Sequence, residues 1–170
     1  MTSFRHTCWA VAVSAAALLA VSAGTPAHAQ ENAAPEVNAW LYCGAALTSY
    51  SGFLLGRFEA DSSFGYDGDQ AADLRRDGLA STLMGLELYS RGDNPSRDGF
   101  VVLLEAAAAG QRVDLDSSAS LDAAESYYSA TLARCADLRA TSPVLFETMA
   151  AEAEVQFADL IEETREAGQQ

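Results

Sequence analysis

The chain has 170 residues, with 24 acidic side chains against ten basic ones and a formal charge of −14 at pH 7. Such a charge repels phosphate backbones and anionic headgroups, which argues against nucleic acid and against an acidic lipid surface as partners. Every basic residue is an arginine, and both histidines, His6 and His28, lie before Gln30.

The first thirty residues carry an export pattern. Arg5 and the amino terminus make a basic head, an apolar run extends from about Cys8 to Val21, and Ala27 and Ala29 bracket His28 ahead of Gln30. These are the marks of a cleaved secretory signal over residues 1–29. The apolar run is shorter than the roughly 20 residues a membrane span needs. Cleavage leaves residues 30–170, a length suited to one domain with its own core. Losing Arg5 leaves nine arginines against 24 acids, a charge of −15. The expected location is periplasmic or secreted.

Pro35 can open the first helix, expected to run to about Ala60. Twenty uncharged residues, from Val37 to Gly56, lie inside it. Length alone permits a span, but Asn38, Thr48, Ser49 and Ser51 and three glycines dilute the hydropathy, so no stable span is expected after signal cleavage. Trp40, Cys43, Leu47, Tyr50, Leu54 and Phe58 recur at helical spacing and define a core face. Beside them Gly44, Thr48, Gly52 and Gly56 stand four apart, a line along which a second helix can approach closely.

A loop, "DSSFGYDGD" from Asp61 to Asp69, follows, with Phe64 and Tyr66 expected inward and Asp67 or Asp69 as a helix cap. The second helix is expected to present Leu79, Leu83 and Leu86, with Met84 and Leu88 alongside. Its Arg75-Arg76 pair reads as solvated charge. Gly92 ends it, at an Arg-Gly-Asp tripeptide explained by chance. Asn94-Pro95 opens a third helix that stops near Gly110. The fourth runs from about Leu121 to Ala140, with Leu121, Tyr128, Leu132, Cys135 and Leu138 on one line. Ser142-Pro143 starts the last, whose core face is Phe146, Met149, Ala150, Ala153, Phe157, Leu160 and Ile161. Its acids fall mainly outside that face. The sum is an all-α protein, a single-domain antiparallel bundle of about five helices following the signal peptide.

The mature region lacks histidine and lysine, which removes Ser-His-Asp, Cys-His and Ser-Lys mechanisms and Schiff-base chemistry. Cys43 and Cys135 are an even pair in an oxidising compartment and are expected to form a structural disulfide. No Gly-rich phosphate loop of the Walker or dinucleotide type is present. The residues Asp114 to Glu125, "DLDSSASLDAAE", resemble an EF-hand calcium loop: the side chains of Asp114, Asp116, Ser118, Asp122 and Glu125, with the Ser120 carbonyl, would supply alternate oxygens and a closing bidentate carboxylate. Ala119 stands where the motif wants glycine, and no second loop pairs with it; the competing reading is a polar connection in which Ser120 or Asp122 caps the fourth helix.

The expected function is that of a small acidic exported protein that acts without catalysis, through contacts with another protein of the cell envelope. No cofactor is required by this reading. Two alternatives stay open: a weak calcium-binding module using residues 114–125, and a hydrolase built on paired carboxylates.

Overall fold

The computed structural model describes residues 34–61, 63–93, 95–111 and 121–167. The predicted signal peptide lies outside them. Among the described residues the chain is all-helical, without a strand: α1 (Pro35–Ala60), α2 (Gly68–Ser90), α3 (Arg97–Gln111), α4 (Leu121–Thr141), α5 (Pro143–Gln156) and α6 (Ala158–Glu166). None of the described helices is long and apolar enough to cross a membrane.

Helix α1 is the centre of the packing. Pro35 sits in its first turn, where a missing N–H costs nothing, with Glu36 beside it and Arg57 in the last turn, both matched to the helix dipole. Trp40, Cys43, Leu47, Tyr50 and Leu54 are buried, as their spacing predicts. Each large apolar side chain taken out of water contributes roughly 1.5–3 kcal/mol, which is why an uncharged helix settles at the core.

Helices α1 and α2 touch through small residues. Leu41 lies against Gly85, Gly44 against Gly78 and Thr82, and Thr48 against Gly78, while Ser51 Oγ donates to the Ala71 carbonyl at 2.8 Å. The pairs run in opposite order, so the two helices are antiparallel. A Cβ on Gly78 would overlap Thr48 Oγ1 and stand 3.0 Å from the Gly44 carbonyl oxygen. The expected glycine line is only half used: space around Gly52 and Gly56 is open. At 3.6 residues per turn, a row of residues four apart drifts by about 40° per step. The row that stays on α2 is Leu41, Gly44, Thr48 and Ser51, spaced three, four and three.

The close approach also corrects the expected face of α2. Ala71, Ala72, Gly78, Ala80, Ser81, Met84 and Gly85 are buried, whereas Leu79, Leu83 and Leu88 flank the core and Leu86 is 42% exposed. Small residues take the centre because α1 leaves no room for leucine there. Helix α3 closes the N-terminal end of α1, packing Leu103 with Val37 and Leu41 and Phe100 with Tyr89.

The single last helix expected from sequence is two helices. Phe157 leaves helical geometry (φ −124°, ψ 26°), although its N–H still bonds the Ala153 carbonyl at 2.9 Å. The bend carries α6 back to the start of α2, burying Ile161 and Thr164 and turning Leu160 outward. There the Tyr66 hydroxyl donates to the Thr164 carbonyl at 2.6 Å, and Arg165 pairs with Asp69 at 3.1 Å. Gly68 lies flat against the Arg165 carbonyl, where a Cβ would collide. A helix C-terminus thus meets a helix N-terminus, a favourable arrangement of dipoles. Of the two capping candidates it is Asp67 that accepts, from the Gln70 N–H at 3.0 Å. Ser142 stands before Pro143 at the start of α5, but its side chain makes no capping bond.

Candidate functional site

The chemistry-bearing residues cluster first where α4 lies on α1. Cys43 and Cys135 are joined, with Cα atoms 5.6 Å apart, and both are buried. One helical turn or two away, Tyr50 stacks on Tyr128 with centroids 4.3 Å apart, and Tyr127 meets Tyr128 edge-on at 5.2 Å. Arg134 lies over the Tyr42 ring at 5.9 Å. Burial pushes the Tyr128 phenol above its ordinary pKa, reinforced by Tyr127 and Tyr50. Tyr127 rises too, through burial and through Tyr42, with which it hydrogen-bonds. The pairing is opposite in sense along the two helices (Cys43 with Cys135, Tyr50 with Tyr128), so α4 also runs antiparallel to α1. Residues 30–170 hold no CxxC motif, no histidine and no lysine, so the sequence around the disulfide carries no mark of redox chemistry, and the bridge ties the two helices together.

A second cluster is ionic. Asp77 accepts from Arg76 Nη2 at 2.8 Å and from Arg139, and the Arg139 guanidinium covers the Phe146 ring at 5.4 Å. Arg76 further pairs with Asp73 at 3.2 Å and Glu154 at 3.6 Å. This network ties α2 to α4 and α5. The expectation that Arg75 and Arg76 are simply solvated is corrected: Arg75 is half-buried against Ser51 Oγ at 3.5 Å. Burial lowers its pKa, which nearby Tyr66 and Glu163 partly restore. Asp61, fully exposed, is held below the usual carboxylate range mainly by the Ser63 hydroxyl and N–H.

Of the candidate calcium ligands, Asp114, Asp116, Ser118 and Ser120 lie outside the described residues. Asp122 and Glu125 fall in the first turns of α4, and Asp122 is exposed. Among the described residues no three His, Cys, Asp or Glu side chains come together as a metal site.

The third feature was not anticipated. Val144 and Val155, both in α5, are 82% and 81% exposed. They are eleven residues apart, which returns them to one azimuth about 16 Å apart. Thr148 and Ala151 lie between them, also exposed, giving a row with steps of four, three and four. The Thr148 hydroxyl donates to the Val144 carbonyl at 3.0 Å, so its polar need is met and its methyl remains on the row. Glu147 and Glu154 border one side and Glu152 the other, all exposed. Phe146, Ala150 and Ala153 fill the core from the opposite side of the same helix. The signal was available in the sequence: α5 carries two apolar stripes, half a turn apart.

Comparison of the chain with models of known families, with curated proteins and with solved structures finds no match.

Proposed function

We propose that the chain is exported as residues 30–170, folds as a single-domain antiparallel helical bundle, and acts without catalysis by contacting another protein of the periplasm or cell exterior. The observation that most supports this is the outer row of α5. A helix that already buries Phe146, Ala150 and Ala153 keeps two valines almost fully in water. Contiguous exposed apolar side chains bordered by charge are characteristic of interaction surfaces. The disulfide supports the oxidising compartment, and the absence of lysine from the chain together with the loss of both histidines with the signal supports the non-catalytic role.

The test is expression of the full chain in a cell with a secretory pathway, followed by mass determination of the mature amino terminus and site-specific photo-cross-linking in the native envelope. A product beginning at Gln30 that cross-links to a protein is the expected result. Recovery of the processed chain only from detergent-extracted lipid, with both thiols open to alkylation, would end the reading.

A weak calcium site at 114–125 is the second reading, favoured by one observation: α3 ends at Gln111 and α4 begins at Leu121, so helices flank the loop with Asp122 and Glu125 in the exiting helix. Calcium at millimolar concentration should then raise the melting temperature, since a ligand bound only by the folded state stabilises it. An unchanged melting curve removes this reading.

A further inference from the structure

The outer row of α5 has the geometry of a coiled-coil seam. Val144, Thr148, Ala151 and Val155 alternate steps of four and three, which is the d-a-d-a order of a heptad. In that register Glu147 and Glu154 take the g positions and Glu152 an e position, the places that meet the charges of a partner helix. All seven residues are exposed. Two of the carboxylates already have neighbours in the chain: Glu154 pairs with Arg76 at 3.6 Å, and Glu152 accepts from Gln156 Nε2 at 2.6 Å. Both remain exposed, so both can also face an incoming side chain.

We infer that the outer face of α5 docks an amphipathic helix of another protein whose apolar a/d stripe is bordered by lysine or arginine. This rests on the contact-protein reading above and specifies its surface and partner chemistry. Charge complementarity selects the occupant. A second copy of this chain would set Glu147, Glu152 and Glu154 against the same three acids, and like charges at e and g positions oppose pairing. The chain's overall charge of −14 adds to that repulsion and steers a basic segment inward.

The test uses two synthetic 21-residue helical peptides with leucine at a and d, one with lysine at e and g and one with glutamate there. The lysine peptide should bind the full-length mature protein, with NMR shift changes centred on residues 144–155, and the glutamate peptide should not. The double variant Val144→Glu/Val155→Glu should lower affinity for the lysine peptide at least tenfold. That sign is decisive, because the variant adds negative charge and would strengthen mere electrostatic attraction. Circular dichroism and melting check that it is folded. Equal or tighter binding by the variant, shift changes on another helix, or no binding at all would overturn the proposal. So would a dimer in sedimentation that the variant dissolves, since the occupant would then be a second copy. Each of these outcomes leaves the contact-protein reading to its own export and cross-linking experiment, which does not depend on α5.

Discussion

Helix α1 is held in two unlike ways. Toward α2 it presents Gly44, Thr48 and Ser51, and the backbones approach until Gly78 has no room for a methyl group. Toward α4 it presents Cys43, Leu47 and Tyr50, and the contact is made by a sulfur bridge, stacked phenols and Leu132. Ten residues of α1 are buried, whereas Tyr128, Thr131 and Cys135 are the buried ones among the described side chains of α4. The first interface is continuous and depends on the absence of side-chain atoms. The second is sparse and depends on the presence of a few large ones plus a covalent link. The lesson is that a helix with little buried surface can be retained by restricting the unfolded chain instead of by packing.

The largest test of this contrast removes the bridge. Cys43→Ser/Cys135→Ser should lower stability by roughly 4–5 kcal/mol, given the sequence separation of 92 and the loop-entropy argument. Hydrogen exchange should show α4 losing protection before the α1–α2 pair; simultaneous loss would contradict the division. Gly78→Ala attacks the other interface, where overpacking costs about 1–3 kcal/mol. Urea unfolding should show the drop, with α1 and α2 amides affected first. Asp77→Asn leaves Arg76 and Arg139 partly uncompensated at the junction of α2, α4 and α5. Because the two arginines are about a third exposed, water screens the loss, and about 1 kcal/mol is expected in the same assay.

A weaker perturbation comes from pH. Tyr66, Tyr127 and Tyr128 have raised pKa values in the folded state, chiefly by burial. Above the ordinary tyrosine value of about 10 the unfolded chain releases protons that the folded chain retains. The contribution is therefore complete below that pH and is lost as pH rises through the folded values. Melting temperature should fall in that range, and Tyr128→Phe should fall less. The smallest effect is expected for the Val144→Glu/Val155→Glu pair, within about 0.5 kcal/mol of the parent, because both side chains already face water.

Much of the architecture is legible in the residues because its signals are local. Pro35, Pro95 and Pro143 mark helix starts, Asp67 caps one, and the large residues of α1 and α4 repeat at helical spacing. The sulfur pair follows from there being two cysteines in 30–170. What escapes is phase and size. The drift that takes Gly52 and Gly56 off the α2 contact accumulates over three turns and leaves no mark in any short window. The inner face of α2 is built from alanine, glycine and serine, whose low hydropathy hides a core position behind the louder leucines. The bend at Phe157 serves a contact with Tyr66 and Gly68, nearly a hundred residues away, that no neighbouring residue announces. In α5 the inner stripe accounts for the helix so well that the second stripe goes unnoticed. Of the candidate metal residues only Asp122 and Glu125 fall among the described ones, at the start of α4.

The tie between Tyr66 and Thr164 spans 98 positions. On the ribosome, α1 and α2 emerge long before the segment that finishes them. For all that time Trp40 and Met84 lack the Phe146 and Ala150 that later cover them. A nascent chain in that condition is sticky yet unlocked, suited to being kept extended by a holdase and committed to its final shape only when the late helices arrive.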